Sequence, residues 1–170
     1  MLKALGFAAA LTLAASSAYA QAPNDAQIAH IAYTAGKIDI AAGQQALAKS
    51  QDKAVRDFAQ EMVRDHTAVN DQALALVKKL GVTPQDNPTS QSLSKDAAAK
   101  LASYSKLSGR AFDKAYVDNE VAYHKTVNSA LSTTLIPNAK NPELKTLLQT
   151  GHKLFSEHQA HAEQLAMKLK

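Results

Sequence analysis

The sequence contains no cysteine, which excludes disulfide bonds, a thiol nucleophile and a lipid anchor on a cysteine. Its six glycines are isolated from one another, so no glycine-rich loop is available to cradle a phosphate group. The Gly-x-Ser-x-Gly motif of serine hydrolases is also absent. These absences leave the chain without the sequence signatures of several common classes of enzyme.

Basic residues are scattered along the chain, which has a net charge of +4, and aromatic residues make up only 5% of it. A nucleic-acid groove needs a basic stripe with stacking aromatic side chains, so we expect no nucleic-acid partner. After the first twenty residues, no stretch approaches the roughly 20 consecutive apolar residues of a membrane helix. We therefore also expect no membrane span.

The first twenty residues have the features of a secretory signal peptide. Lys3 gives a short positive start, the segment 4–15 is apolar, and Ala18-Tyr19-Ala20 forms a small-x-small cleavage site. We predict a signal peptide over residues 1–20 and a single helical domain over residues 21–170. Export of a helical domain without a membrane span indicates the periplasm.

The remainder is patterned for helices. Eight residues between about Asp52 and Leu80 follow one another at alternating spacings of four and three, which places them on one face of a helix. They are Val55, Ala59, Met62, His66, Val69, Ala73, Leu76 and Leu80. Seven of the eight are apolar, so this face predicts a core helix interrupted by one histidine.

Four further helices are predicted over about 25–50, 94–108, 110–135 and 142–167, with loops at 81–92 and 136–141. Asn24 or Asp25 caps the first helix, and Asn141 followed by Pro142 starts the last. The short link near Ser50 predicts that the first two long helices are antiparallel neighbours.

Ionisable residues lie on or beside the predicted core faces. In the first helix, Asp39 flanks a face formed by Ile28, Ile31, Ala35, Ile38 and Ala42. Asp65 flanks the face of the second. In the last helix the predicted face includes two histidines: Leu144, Leu147, Gly151, Leu154, His158, His161 and Leu165.

The helix over 110–135 gives a mixed signal. One face carries Asp113, Glu120 and His124, and the adjoining face is aromatic, with Phe112, Tyr116 and Tyr123. Because the two faces adjoin, the ionisable residues belong either to the centre of the core or to its boundary. Gly36 and Gly43, in the first helix, suit places where another helix approaches closely.

Carboxylates and histidines that project inward from facing helices are how helical bundles hold iron, manganese or zinc. A rise of about 1.5 Å per residue places Asp39 level with His66 within the first hairpin, and Glu120 nearly level with His158 within the second. Whether the two hairpins align is not given by the sequence.

We predict a site for iron, zinc, manganese or copper formed by Asp39, His66, Glu120, His124 and His158, with His161 and Asp113 as second choices. The alternative is a metal-free bundle that contacts another envelope protein and contains two buried histidine–carboxylate pairs, Asp39–His66 and Glu120–His158. A metal-dependent oxidase or hydrolase would need an open coordination position, so enzymatic activity and oligomeric state stay undecided.

Three segments resemble a family of exported bacterial proteins with a ferritin-like domain of unknown function, whose members are often labelled as outer-membrane or periplasmic proteins. The similarity covers about residues 25–169. Its segments are Gly36…Asp39-Ile40 with Phe58-Ala59-Gln60-Glu61-Met62-Val63-Arg64-Asp65-His66, Gly109-Arg110-Ala111-Phe112-Asp113-Lys114-Ala115-Tyr116 with His124, and His158.

The resemblance implies an all-α fold, a ferritin-like up-and-down four-helix bundle with one additional short helix, and a periplasmic location. Position 39 is usually glutamate in that family, whereas this chain has the shorter Asp39. The Glu-x-x-His pairs of di-iron proteins are missing, since Glu120 lies four residues before His124 and Glu61 five before His66. A ferroxidase centre is therefore not implied, and we expect a role in metal handling or envelope stress protection.

Overall fold

The computed structural model describes residues 22–169, so the predicted signal peptide lies outside the described part. This part is all-helical and contains no strand, which confirms the predicted all-α class. None of its helices combines the length and apolar character that crossing a membrane requires. The helices are α1 (Asp25–Lys49), α2 (Lys53–Lys79), α3 (Pro88–Ser105), α4 (Gly109–Ala130), α5 (Ile136–Asn138) and α6 (Pro142–Lys168), and a π-helical turn (Leu131–Leu135) follows α4.

Side-chain caps fix the beginnings of α1, α2 and α6. The Asn24 side chain accepts a hydrogen bond from the Gln27 backbone N–H at 3.0 Å. Asp52 accepts one from Ala54 at 2.8 Å, and Asn141 caps α6, which starts with Pro142. Each cap satisfies backbone N–H groups that the first helical turn leaves free. The predicted bounds of α1, α2 and α6 are confirmed to within about two residues.

Two segments predicted as loops contain helix. Asn87 and Ser90 cap each other reciprocally, with both hydrogen bonds at 3.1 Å, so α3 begins at Pro88 rather than near Ser94. The segment 136–141 begins with the single turn of α5, which continues the π-helical turn. In both places a helix start was concealed among residues that are also common in loops.

Helices α1 and α2 are antiparallel neighbours, as the short link predicts. A Cβ atom added to Gly36 would lie 2.4 Å from Oδ1 of Asn70, and one added to Gly43 would lie 2.9 Å from a methyl group of Val63. Ordinary Cβ contacts do not come this close, so a larger residue at either position would force the neighbouring side chain to shift. The predicted close approach of another helix is confirmed at both glycines.

Helix α6 is antiparallel to α4 and to α2. The Asn128 side chain donates to the Phe155 carbonyl oxygen at 3.2 Å, and Lys125 lies 3.1 Å from Glu163. On the α4 side of α1, the Tyr123 hydroxyl donates to the Ala35 carbonyl oxygen at 3.2 Å. The four long helices α1, α2, α4 and α6 thus enclose a common interior, each antiparallel to its neighbours.

Helix α3 lies outside this interior and runs parallel to α1. The Gln45 side chain donates to the Leu101 carbonyl oxygen at 3.1 Å, and Lys49 donates to that of Ser105 at 2.9 Å. Because α3 returns the chain along the length of α1, helices α2 and α4 run in the same direction. In chain order α1, α2, α3, α4 and α6, each helix thus reverses the one before it, and α3 is the additional helix outside the four that enclose the interior.

The buried interior has three parts along the helix axes. An aromatic cluster lies towards the α1–α2 turn and consists of Ala42, Ala46, Val55, Phe58, Ala59, Met62, Tyr104, Phe112, Tyr116, Val117, Ala162, Leu165 and Leu169. An aliphatic cluster lies at the other end and consists of Ile28, Ala29, Ile31, Val77, Leu131, Leu135, Ala139, Leu144, Leu148 and Phe155. In each of the four long helices, ionisable residues separate the two clusters.

Candidate metal centre

Five ionisable side chains meet between the aromatic and aliphatic clusters. Asp39 comes from α1, His66 from α2, Glu120 and His124 from α4, and His158 from α6, and each is at most 2% exposed. Ligand-type atoms of the three histidines all lie within 4.8 Å of one another, as do those of Asp39, Glu120 and His124. Because His124 belongs to both groups, the five residues form one His/carboxylate layer across four helices.

Hydrogen bonds determine which nitrogen is available in two of the histidines. Nδ1 of His124 lies 3.0 Å from the Glu120 carbonyl oxygen, so it carries the proton and donates, which leaves the lone pair on Nε2. Nε2 of His158 lies 3.0 Å from Asp65 Oδ2 and donates to it, which leaves the lone pair on Nδ1. Histidine ligands of metals are oriented by this kind of bond from the second ring nitrogen.

Every residue of the layer has a buried polar atom without a hydrogen-bond partner in residues 22–169. These atoms are Asp39 Oδ1, Glu120 Oε2, both ring nitrogens of His66, His124 Nε2 and His158 Nδ1. A single buried, unpaired polar atom costs about 1–3 kcal/mol. One such atom from each side chain is available as a ligand of an ion; for His66 only one ring nitrogen can serve, because a neutral imidazole has a single lone pair.

Burial shifts the layer towards uncharged side chains. Desolvation lowers the pKa of His66 to about 3 and also lowers the pKa of His124. Desolvation raises the pKa of Asp39, and it raises that of Glu120 well above its ordinary value, with further contributions from the Asp39 charge and a hydrogen bond between the two carboxyl groups. Neutral imidazoles can bind a metal, and a divalent cation would balance two ionised carboxylates.

The residues fit a transition metal. Nitrogen and oxygen ligands lie about 2.0–2.2 Å from a bound ion such as zinc, so two ligands of one ion are at most about 4.4 Å apart. The atoms of each group lie within 4.8 Å of one another, so small side-chain rotations would bring them into range. Imidazole together with carboxylate suits iron, zinc, manganese or copper.

Two aromatic residues border the layer and were missed from the sequence. The Phe155 ring stacks on the His66 ring, with 4.5 Å between centroids and 13° between planes. Tyr116 lies one turn before Glu120 and has a buried hydroxyl without a partner in residues 22–169. Burial, followed by the charges of Glu120 and Asp39, raises the Tyr116 pKa well above its ordinary value. The aromatic face of α4 was the sequence signal for Tyr116.

Asp65 links the layer to the surface. It accepts the hydrogen bond from His158 and two more from the exposed Arg64, at 2.6 and 2.9 Å. The Arg64 hydrogen bond is the main reason that the pKa of Asp65 is lowered. Ligand-type atoms of Glu61, Asp65 and His158 also lie within 4.8 Å of one another. From the sequence, Asp65 was predicted only to flank the core face of α2.

The two second-choice residues lie outside the layer. His161 is on the outer side of α6, where Nδ1 lies 2.7 Å from Glu61 Oε2 and the side chain is 45% exposed. Its predicted place on the core face is wrong by one position, because the face is formed by Leu144, Leu148, Gly151, Phe155, His158, Ala162 and Leu165. Asp113 is buried but belongs to neither group of the layer.

The structure forms one of the two predicted histidine–carboxylate pairs. Nε2 of His66 lies 3.4 Å from Asp39 Oδ2. His158 pairs with Asp65 rather than with Glu120, whose Oε2 lies 3.5 Å from His124 Nδ1. The first pairing depends only on the short α1–α2 link, whereas the second depends on how the two hairpins are rotated against each other.

Comparison with known protein families gives one match. A family model described as "Domain of unknown function (DUF4142)" matches residues 10–165. This range contains the whole His/carboxylate layer and Asp65. No curated protein and no solved structure matches the chain.

Proposed function

This chain belongs to the DUF4142 family, and we propose that it is a periplasmic, ferritin-like four-helix-bundle protein that binds a transition metal in its His/carboxylate layer. The observation that carries this proposal is the convergence of five buried side chains, Asp39, His66, Glu120, His124 and His158, each with at least one unpartnered polar atom. In a metal-free core, each of these atoms would have lost its hydrogen bonds to water without replacement. A bound ion such as iron, zinc, manganese or copper would supply the missing partner.

A role in metal handling or envelope stress protection suits the burial of this layer better than rapid turnover does. All five side chains are at most 2% exposed, and Phe155 covers His66 on the aliphatic side. Asp65 and Glu61 lie nearest to the surface, so they are the side chains that an entering cation would meet first. A buried site of this kind favours holding an ion over exchanging substrates quickly.

The topology supports a ferritin-like bundle. Ferritin-like folds contain four helices with one long crossover connection, and here α3 carries the chain along the length of α1 between α2 and α4. The periplasmic location rests on the signal-peptide features of residues 1–20. Since the Glu-x-x-His pairs are absent, the proposed site is a histidine-rich one with its own set of ligands.

A metal-free interaction module is the alternative, in which the layer specifies the packing and another envelope protein is the partner. The hydrogen bond between His158 and Asp65 favours it, because it partly satisfies a buried histidine without an ion. This alternative leaves both ring nitrogens of His66, Nε2 of His124, Nδ1 of His158 and one oxygen each of Asp39 and Glu120 without hydrogen-bond partners in the described residues. The geometry therefore supports metal binding better.

Elemental analysis of the mature protein, purified from periplasm without a histidine tag, tests the proposal. We expect about one or two equivalents of metal, lost in His66→Leu and retained in His161→Leu, which removes a histidine outside the layer. An added ion at 100 times its Kd should stabilise the wild type by about 2.7 kcal/mol. A metal-free protein whose melting temperature ignores every added ion would overturn the proposal and favour the interaction module.

A further inference from the structure

An apolar cavity of about 170 Å³ lies within the aliphatic cluster. Side chains from all four long helices line it, and small residues form much of the wall: Ala29, Ala35, Ala73, Ala130 and Gly151. Leu131 and Leu135, at the two ends of the π-helical turn, also face it. Small residues on several helices at one level leave a space that larger side chains would have filled.

Such a space is unusual in a protein core. Interiors are normally packed as densely as organic crystals, and unfilled volume lowers stability. The aromatic cluster of this same protein follows the rule, since the fully buried rings of Phe58 and Phe112 both contact the buried ring of Tyr116. The cavity is therefore a local feature of the aliphatic end.

Volume and lining restrict what the cavity can hold. An apolar cavity of about 150 Å³ in another protein stays dry and binds benzene or xenon, whereas drug-sized ligands need about 300 Å³ or more. We propose that this cavity binds an uncharged apolar group of about six to eight heavy atoms. Such a group is either a free hydrocarbon-like molecule or the end of an alkyl chain. The exposed Thr89 and Thr126 belong to the lining, so the polar end of a chain-like ligand has a route to solvent.

The occupant would touch the candidate metal centre through one side chain. Phe155 lines the cavity and stacks on His66, so the same ring separates the apolar group from the His/carboxylate layer. The inference goes beyond metal binding and does not depend on it, because the cavity is lined mainly by apolar side chains and includes none of the five residues of the His/carboxylate layer.

Binding is tested on the mature full chain with toluene and, separately, with sodium decanoate. We expect toluene near saturation to raise the Tm by about 2–5 °C, both with and without added metal. Ala73→Leu places a larger side chain into the cavity and should abolish the rise. The matched variant Ala68→Leu, on the exposed side of the same helix, should retain it. NMR contacts from toluene protons to Leu148 and Phe155 of the wild type give a test that does not depend on any variant.

The outcomes identify the kind of ligand or overturn the inference. A rise with toluene alone supports a free small molecule as the ligand, and a rise with both compounds supports an alkyl chain. No rise with either compound and no NMR contacts, or equal binding by Ala73→Leu, would overturn the inference. Because the measurements are repeated without metal, failure of metal binding leaves this result interpretable.

Discussion

The aromatic cluster and the His/carboxylate layer are both buried, but burial has opposite consequences in them. In the cluster, Phe112 stacks against Tyr116 and meets Tyr104 edge to face, at centroid distances of 6.3 and 6.0 Å. Burying these rings is favourable under any condition in which the protein folds. In the layer, burial removes water from donor and acceptor atoms that lack replacements. The apolar rings of the cluster thus stabilise the fold whether or not an ion is bound, although the hydroxyls of Tyr104 and Tyr116 also lack partners in residues 22–169. The layer is stabilising only when a proton or an ion satisfies its polar atoms.

The largest effect is expected from the cluster. Phe112 is fully buried, so Phe112→Ala should lower the free energy of unfolding by about 3–5 kcal/mol through lost contacts and a new cavity. Urea unfolding, with and without added metal, measures this loss of stability. The free energy of unfolding should decrease by the same amount in both conditions. A decrease that depended on metal would show that the cluster and the layer are not independent.

In the layer we expect one substitution to stabilise the metal-free protein rather than destabilise it. Glu120→Gln removes a buried acid whose pKa is raised well above its ordinary value, so near pH 8 it should raise the stability of the metal-free protein by about 1–4 kcal/mol. The same variant should weaken the response to metal. Glu163→Gln is the control, because this half-exposed glutamate pairs with Lys125 at the surface and is expected to change stability by less than about 1 kcal/mol. Destabilisation of the metal-free protein by Glu120→Gln would contradict the comparison.

A smaller effect is expected where α1 approaches α2 beside the layer. Gly36→Ala forces its new Cβ atom against the Asn70 side chain and should lower stability by about 1–3 kcal/mol. It should also weaken the metal response, since pushing the helices apart separates Asp39 from His66. Adding Asn70→Ala makes room for the new Cβ atom and should restore part of the lost stability and part of the metal response, as measured by thermal unfolding with and without metal. If the double variant is no more stable than Gly36→Ala, the close contact with Asn70 is not the cause of the destabilisation.

Caps and periodicity made most of the helices predictable. The combination of a capping asparagine and a following proline starts both α3 and α6. It was recognised at Asn141 but not at Asn87, where neighbouring proline, threonine and serine residues also suit a loop. The same local physics thus governs both helix starts, and the difference lay in how well the following residues showed the helical period.

The face of α6 was harder to predict than its length. Its possible core positions come in adjacent pairs, Leu147 with Leu148 and Leu154 with Phe155, so hydrophobicity alone does not decide which member of each pair is buried. In the structure Leu148 and Phe155 are the buried members, so His161 points outward and Phe155 packs on His66. Only packing against α2 and α4 fixes that rotation.

The candidate site was predictable in its residues but not in its pairing. Asp39, His66, Glu120, His124 and His158 were identified because ionisable groups interrupt apolar faces at matching heights. That they converge depends on the alignment of the two hairpins, which no local pattern encodes. The role of Asp65 as the hydrogen-bond acceptor of His158 was not predicted for the same reason, since His158 lies on another helix.

The pH dependence of stability gives the finest distinction between the two regions. His66 has a folded-state pKa of about 3, against an ordinary value of about 6.5. Between these values the unfolded chain binds a proton that the folded metal-free protein does not. Stability therefore falls as the pH is lowered from about 6.5 towards 3, by at most about 1.4 kcal/mol per pH unit from this group.

Asp39 and Glu120 act in the opposite sense, because their raised pKa values make the folded protein lose stability as the pH rises through those values. The His66 contribution is therefore obtained as the difference between the wild type and His66→Gln, from urea unfolding at a series of pH values with a chelator present. His66→Gln should flatten the acid side of the profile. Phe112→Ala, which removes no titratable group, should lower the whole profile and leave its slope unchanged. Equal slopes for wild type and His66→Gln would mean that His66 is not held neutral in the folded protein. Burial of His66 would then make no pH-dependent contribution to stability, as is expected of Phe112 in the cluster.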